Sequence, residues 1–168
     1  MTDGESRDKM SRMNFDPITP DLFIGVTPRV DDYPLLRGLG VRLVINMRWE
    51  RRPAPDPHHE PLSFLWLRTI DSPLFPIPIS KLIRGAQAAL ATIRDGGKVY
   101  AHCAGGRHRG VAMGAAVLVA QGYDPLAAMQ LIAERRALAD PFAFYIRSRI
   151  LKFAQNWSVD FSAGNRQI

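Results

Sequence analysis

The chain has 168 residues, a formal charge of +6 from 22 Lys and Arg against 16 Asp and Glu, and a single cysteine. That length fits one domain, large enough to bury a full core without staples, and one cysteine excludes an internal disulfide and a Cys-rich zinc site. At 46% hydrophobic residues the chain is not disordered, and no apolar run reaches the roughly 18 residues of a membrane span.

Residues 1–14 are polar and mixed in charge, with no apolar stretch for a signal peptide. A flexible tail is expected there, and a reducing cytoplasm as the compartment. Leu22-Phe23-Ile24, closed by Gly25, reads as a short strand. Pro28 to Leu39 reads as a helix stopped by Gly38 and Gly40, and Val41 to Met47 as a buried strand. Residues 51–61 hold four prolines and must be loop. Phe64 to Leu67 reads as another strand, and Thr69 to Pro78 as a second Pro-rich connection.

Ser80 is a candidate N-cap for a helix through Arg94, with Leu82, Ile83, Ala86, Leu90 and Ile93 on one face. Lys98 to Ala101 reads as a short strand. A Gly- and Arg-rich loop follows, then an apolar helix from about Gly110 to Gln121. Asp124 caps the next helix, with Pro125 at its first position, running to about Leu138. The last helix is expected over Pro141 to Asn156, and residues 159–168 as a C-terminal tail. Strands alternating with helices predict a single α/β domain over residues 15–158, a small mixed sheet flanked by helices.

The informative segment is Val99 to Gly110. Cys103 ends a strand, and Arg109 follows six residues later where an apolar helix begins. A loop of that length can curl its backbone N–H groups around an anion, aided by the helix N-terminus. Gly105 and Gly106 permit the curl. Arg109 can grip two phosphate oxygens with its planar fork. The same field favours a thiolate at Cys103. Ala104, Gly105, Gly106, Arg107, His108 and Arg109 are therefore the expected phosphate-binding loop, with Cys103 beneath it as nucleophile. A free cysteine alone would be a small buried hydrophobe and Arg109 alone a surface residue. The joint spacing and the strand-loop-helix context argue otherwise. From Arg94 to Lys152 nine basic residues face four acidic ones, so the surplus charge clusters around this loop. No nucleic-acid motif accompanies it.

His102, Cys103, Gly106 and Arg109 match His-Cys-x2-Gly-x2-Arg, and here the chain resembles the Cys-dependent protein tyrosine phosphatase superfamily. The order of elements from about Asp21 to Trp157 is similar to that of the small dual-specificity phosphatases. The resemblance implies that fold, and hydrolysis of a phosphomonoester through a phosphocysteine intermediate, with no metal and no cofactor. It implies a phosphorylated protein, or another phosphomonoester, as partner. It also implies that His102 supports the nucleophile by bonding nearby backbone.

The position after the arginine is usually Ser or Thr in that family; here it is Gly110, which predicts slower turnover. The basic Arg107-His108 pair keeps phosphoinositides and inositol phosphates open as substrates.

The leaving oxygen needs a proton. Asp71 is the candidate general acid: it follows a strand in a Pro-rich loop, 32 residues before Cys103, where the small dual-specificity phosphatases keep theirs. Asp56 in the other Pro-rich loop is its rival, and a turn-forming role is open to Asp71 as well. His108 is expected near the pocket mouth or in solvent. His58 and His59 are adjacent, which is poor evidence for metal. Arg135 and Arg136 are expected to complement a helix dipole at the surface, with a place on the ligand rim as the other reading. Two further functions compete with catalysis by a phosphatase. One is a phosphate-reading pseudophosphatase, to which only Gly110 points. The other is a rhodanese-like or arsenate-reducing enzyme, though arsenate reduction typically needs further cysteines.

Overall fold

A computed structural model describes residues 13–164, with side chains to residue 158. Five strands form one mixed sheet: β1 (Phe15–Thr19), β2 (Leu22–Val26), β3 (Val41–Arg48), β4 (Ser63–Thr69) and β5 (Lys98–Cys103). The strand order is β1-β2-β5-β3-β4; β1 runs antiparallel to β2, and the other pairs are parallel. The helices are α1 (Tyr33–Gly38), preceded by a 3-10 turn over Val30–Asp32, then α2 (Ile79–Arg94), α3 (Arg109–Ala120), α4 (Pro125–Arg135) and α5 (Phe144–Gly164).

β5 is the middle strand, and every residue from Val99 to Cys103 is buried, as a strand covered on both faces must be. Alternation along it sorts the side chains. Val99, Ala101 and Cys103 join the large core beneath the helices, while Tyr100 joins Phe23, Tyr33 and Val44 on the opposite face. α3 is buried from Arg109 to Val119, which explains its unbroken run of small and apolar residues. Among the described residues no helix is long and apolar enough to cross a membrane.

The fold is the expected α/β one, and several boundaries differ from the sequence reading. β1 was not anticipated. The expected helix over Pro28 to Leu39 is broken into a 3-10 turn and α1, because Pro34 has no N–H for the bond a continuous helix needs there. Ser80 is not a cap: α2 starts at Ile79 with Pro78 at the N-cap and no side-chain capping bond. Asp124 does cap α4, accepting from Leu126 N at 3.0 Å and Ala127 N at 3.1 Å. α4 stops at Arg135 rather than Leu138, since Arg136 turns to extended backbone.

α5 begins at Phe144 rather than Pro141, and continues past Asn156 to Gly164. Of the tail expected over residues 1–14, all but Met13 and Asn14 lies outside the described residues. These two are held by the fold: Met13 is buried, and the Asn14 carbonyl accepts from Val26 N at 3.0 Å. Of the tail expected over 159–168, residues 165–168 lie outside them.

Candidate active site

Cys103 is the last residue of β5, and Arg109 the first of α3. Residues 104–108 span the gap between strand and helix. The loop is fixed from behind. Gly106 sits at φ +61°, and a Cβ there would lie 2.7 Å from the Gly25 backbone, so only glycine lets the loop close onto the end of β2. Arg136, wholly buried, reaches the same place. Its Nε donates to the Gly106 carbonyl at 2.7 Å and its Nη2 to that of Gly105 at 3.1 Å. Its Nη1 donates to Asn14 Oδ1 at 3.0 Å and Asp16 Oδ2 at 2.9 Å. Within a trans peptide the N–H points opposite to the C=O. With these two carbonyls turned toward Arg136, the amides of Gly106 and Arg107 point away from it.

Arg109 is also buried. Its Nη1 donates to the Thr69 carbonyl at 2.8 Å and to Glu50 Oε2 at 3.2 Å, and its Nη2 to Glu50 Oε1 at 3.3 Å. Its Nε is a buried donor with no partner among the described residues. An orphaned charged donor is costly in a dry interior, and here it belongs to the residue the sequence assigns to phosphate.

Glu50 is shared. Arg48 Nε donates to Glu50 Oε1 at 2.8 Å, Arg48 Nη1 to Thr27 Oγ1 at 2.9 Å, and Thr27 Oγ1 to the Cys103 carbonyl at 3.1 Å. A chain of polar contacts thus runs from Arg109 round to the Cys103 carbonyl. Burial pulls the Glu50 carboxyl up, but hydrogen bonds from Arg109 and Arg48 outweigh it and bring it down to about 2.

His102 is buried on the other sheet face, its ring 5.9 Å from that of Tyr100. Its Nδ1 lies 3.4 Å from the Cys103 carbonyl. Burial, the largest influence, pushes it down to about 3, with Arg48 and Arg109 adding repulsion. The ring is therefore neutral at ordinary pH.

Asp71 stands at the rim. Its Oδ1 accepts from Tyr145 OH at 2.9 Å, and its Oδ2 lies 3.2 Å from His108 Nδ1. A residue between β4 and α2, the loop between β5 and α3 and the first turn of α5 are thereby joined.

No family model matches the chain. A curated mouse protein, dual specificity phosphatase 28, is 29% identical over 128 residues, covering 76% of each chain. Over about three quarters of its length the chain is thus similar to a dual-specificity phosphatase. Solved structures share its fold. Human DUSP28 matches with a TM-score of 0.75 at 23% identity, over 86% of this chain and 95% of that one. PTPMT1 in complex with PI(5)P matches with a TM-score of 0.76 at 24% identity, over 87% and 97%.

The geometry separates the rival acids. Asp56, its side chain 1% exposed, accepts from Leu62 N at 2.9 Å and His58 N at 3.2 Å, and pairs with Arg37. It organises the Pro-rich loop, and none of these partners is in the loop between β5 and α3. The structure also corrects Arg136. It is not a surface charge serving a helix dipole but the buried support of the loop carbonyls. Its place just after α4 could not distinguish the two. Glu50, Arg48, Thr27 and Tyr145 were missed as well. Thr27 lies just after β2, Arg48 at the end of β3, Glu50 in the loop that follows and Tyr145 on α5, and only the fold gathers them.

Gly110 has a spatial reason. A Cβ there would lie 3.1–3.2 Å from the backbone of His102 and Cys103. The first turn of α3 is packed tightly against the end of β5.

Proposed function

We propose that the chain hydrolyses phosphomonoesters through a phosphocysteine intermediate on Cys103. The observation that carries this reading is the buried Arg109, held by Glu50 and Thr69 with its Nε unpaired among the described residues, at the far end of the loop that begins after Cys103.

Arg109 and the loop amides, among them those of Gly106 and Arg107, bind the non-bridging oxygens of the substrate. They also take up the charge these oxygens carry in the transition state. Cys103 Sγ attacks phosphorus; the bond to the leaving oxygen breaks, and Asp71 gives that oxygen its proton. Water then attacks phosphorus, Asp71 takes a proton from it, and the Sγ–P bond returns its electron pair to Cys103. His102 stays neutral behind the strand, so it positions the Cys103 backbone rather than carrying protons. A thiol nucleophile with no second cysteine to resolve its oxidation suits a reducing cytoplasm.

Phosphorylated protein side chains are the substrates we infer first. Phosphoinositides are the second reading, favoured by one observation. A shallow groove of about 410 Å3 lined by Trp49, Arg68, Ile70, Leu74, Phe75 and Lys81 opens beside Thr69, and Leu74 and Phe75 are exposed. Apolar side chains with two cations suit an amphipathic anion.

The test is phosphate release from an aryl phosphate. Wild type is expected to be active and Cys103→Ser inactive; a serine variant that keeps its activity overturns the mechanism. Parallel assays with phosphopeptides, phosphoinositides and soluble inositol phosphates rank the substrate classes.

A further inference from the structure

A cavity on the Tyr100 face of the sheet takes no part in the chemistry just described. It holds about 250 Å3, and its lining includes Thr27, Arg29, Asn46, Arg51, Arg52 and His102. That volume is below the usual range for a drug-sized ligand and suits one small ion. Three arginines line it, and among the described residues no acid does. Glu50, next to Arg51 in the chain, is taken by Arg48 and Arg109. The Arg51 and Arg52 side chains make no ion pair or hydrogen bond with a described residue.

The backbone that carries these two arginines is fixed at both ends. Asn46 Nδ2 donates to the Arg51 carbonyl at 2.8 Å, and Tyr33 OH to the Ala54 carbonyl at 2.7 Å. Asn46 and Tyr33 are themselves buried, and Pro53 favours extended backbone at Arg52. Two neighbouring guanidinium groups are thus presented on a fixed segment with no counter-charge. Such groups match the oxygens of a phosphate.

The cavity also holds a buried acceptor. His102 is 2% exposed, and its Nδ1, 3.4 Å from the Cys103 carbonyl, makes the ring's one hydrogen bond to a described residue. A carbonyl oxygen only accepts, so the proton of this neutral ring sits on Nδ1. Nε2 is left as an acceptor without a partner. Sulfate, or a fully ionised phosphate ester, has no proton to give it. Hydrogen phosphate has one O–H for the imidazole and bare oxygens for the arginines.

We infer that this cavity is a second phosphate site, in which Arg51 and Arg52 bind the bare oxygens of hydrogen phosphate and His102 Nε2 accepts from its hydroxyl. The site is tied to the nucleophile. Thr27 Oγ1 donates to the Cys103 carbonyl at 3.1 Å, and His102 Nδ1 faces the same oxygen, so two lining residues hold the backbone of Cys103. Phosphate released by turnover therefore acts back on the enzyme from outside the catalytic loop. That feedback rests on the phosphatase reading above; the binding site does not.

Two experiments on the full chain test this. The first is an NMR titration with inorganic phosphate at about pH 8, with ionic strength held constant by chloride. The amides of Arg51 and Arg52 and the Asn46 side chain should shift as one group, apart from those of Gly105 and Gly106. In the Arg51→Gln/Arg52→Gln variant, which keeps the backbone bonds, the Asn46 group should need on the order of tenfold more phosphate. Sulfate should bind there on the order of tenfold more weakly, because at that pH both ions are dianions and only phosphate carries a proton. Shifts confined to the catalytic loop overturn the site. Sulfate as tight as phosphate overturns it too, leaving an unselective cationic surface.

The second is inhibition of p-nitrophenyl phosphate hydrolysis by phosphate. Wild type should show mixed inhibition, a competitive part from the catalytic loop and a noncompetitive part from the cavity. Arg51→Gln/Arg52→Gln should keep only the competitive part. Purely competitive inhibition of the wild type overturns the feedback. A wild type without turnover overturns the phosphatase reading and the feedback with it, and the titration still decides whether the site exists.

Discussion

Arg136 Nε donates to the Gly106 carbonyl at 2.7 Å, from a side chain wholly buried and thirty positions along the chain. The bond joins the residue after α4 to the one loop glycine whose φ is positive. Of the two side chains that Arg136 bonds, Asn14 is neutral and Asp16 is 41% exposed, so removing the arginine strands only a half-solvated charge. Arg136→Ala should therefore cost about 2–3 kcal/mol, less than the loss of one partner from a fully buried pair, together with most activity. Arg136→Lys, a point charge that cannot fork to two carbonyls, should restore little of either. Denaturant unfolding and kcat/KM on an aryl phosphate check both. A fully active Arg136→Ala would show that the loop holds its shape unaided.

Asp71 and Asp56 make a matched pair for separating chemistry from architecture. Asp71→Asn should lower kcat for a poor leaving group by about 10²–10⁴ while leaving the unfolding midpoint nearly unchanged. Asp56→Asn should do the reverse. Its buried carboxylate ties Arg37 to the loop through the Leu62 and His58 amides, so a loss of about 1–3 kcal/mol is expected with kcat retained. Rates and unfolding curves exchanged between the two variants would contradict the assignment.

Two groups make stability pH-dependent on the acid side. His102 is depressed from 6.5 to about 3, so the unfolded chain takes up its proton first as pH falls. Stability is lost from about pH 6.5 down to about 3, by up to about 1.4 kcal/mol per pH unit. Glu50 is depressed from 4.5 to about 2, so its contribution is present above 4.5 and is lost as pH falls toward 2. Urea unfolding between pH 3 and 7 should give a falling curve that is flatter in His102→Gln. Parallel curves for the two proteins would contradict a buried neutral imidazole.

Gly110 should resist the obvious substitution. A helix gains up to about 1 kcal/mol from Gly→Ala in an interior position, but a Cβ at 3.1 Å from the His102 carbonyl carbon overpacks the strand, which costs about 1–3 kcal/mol. Gly110→Ala is expected to be net destabilising by about 1 kcal/mol. Thermal unfolding checks it, and a stabilised variant would show that β5 yields easily. If the missing hydroxyl slows breakdown of the phosphoenzyme, rapid mixing should give wild type a burst of leaving group before a slow steady phase.

The sheet core and the loop could be read from the sequence because both are local. Val41 to Met47 is rich in β-branched and apolar residues, and Cys103 to Arg109 is contiguous. What escaped was of two kinds. β1 carries Pro17 within five residues, and proline is tolerated there only because β1 is an edge strand; edge position is a tertiary property. Glu50, Arg136 and Tyr145 have no motif of their own. Their roles arise where the ends of β3, α4 and the start of α5 converge on the loop, at sequence separations of 30 to 74 residues. Asp71 could be picked out by its place before Cys103, but its link to His108 could not.

The central claim is that phosphate passes through Cys103. Wild-type protein mixed with an aryl phosphate, quenched in acid during turnover and digested, should yield one phosphorylated peptide by mass spectrometry, the one containing Cys103. Cys103→Ser should yield no such thiophosphate and release no phosphate. Phosphate release by the wild type with the Cys103 peptide unmodified and a phosphoryl group on another residue would contradict the account.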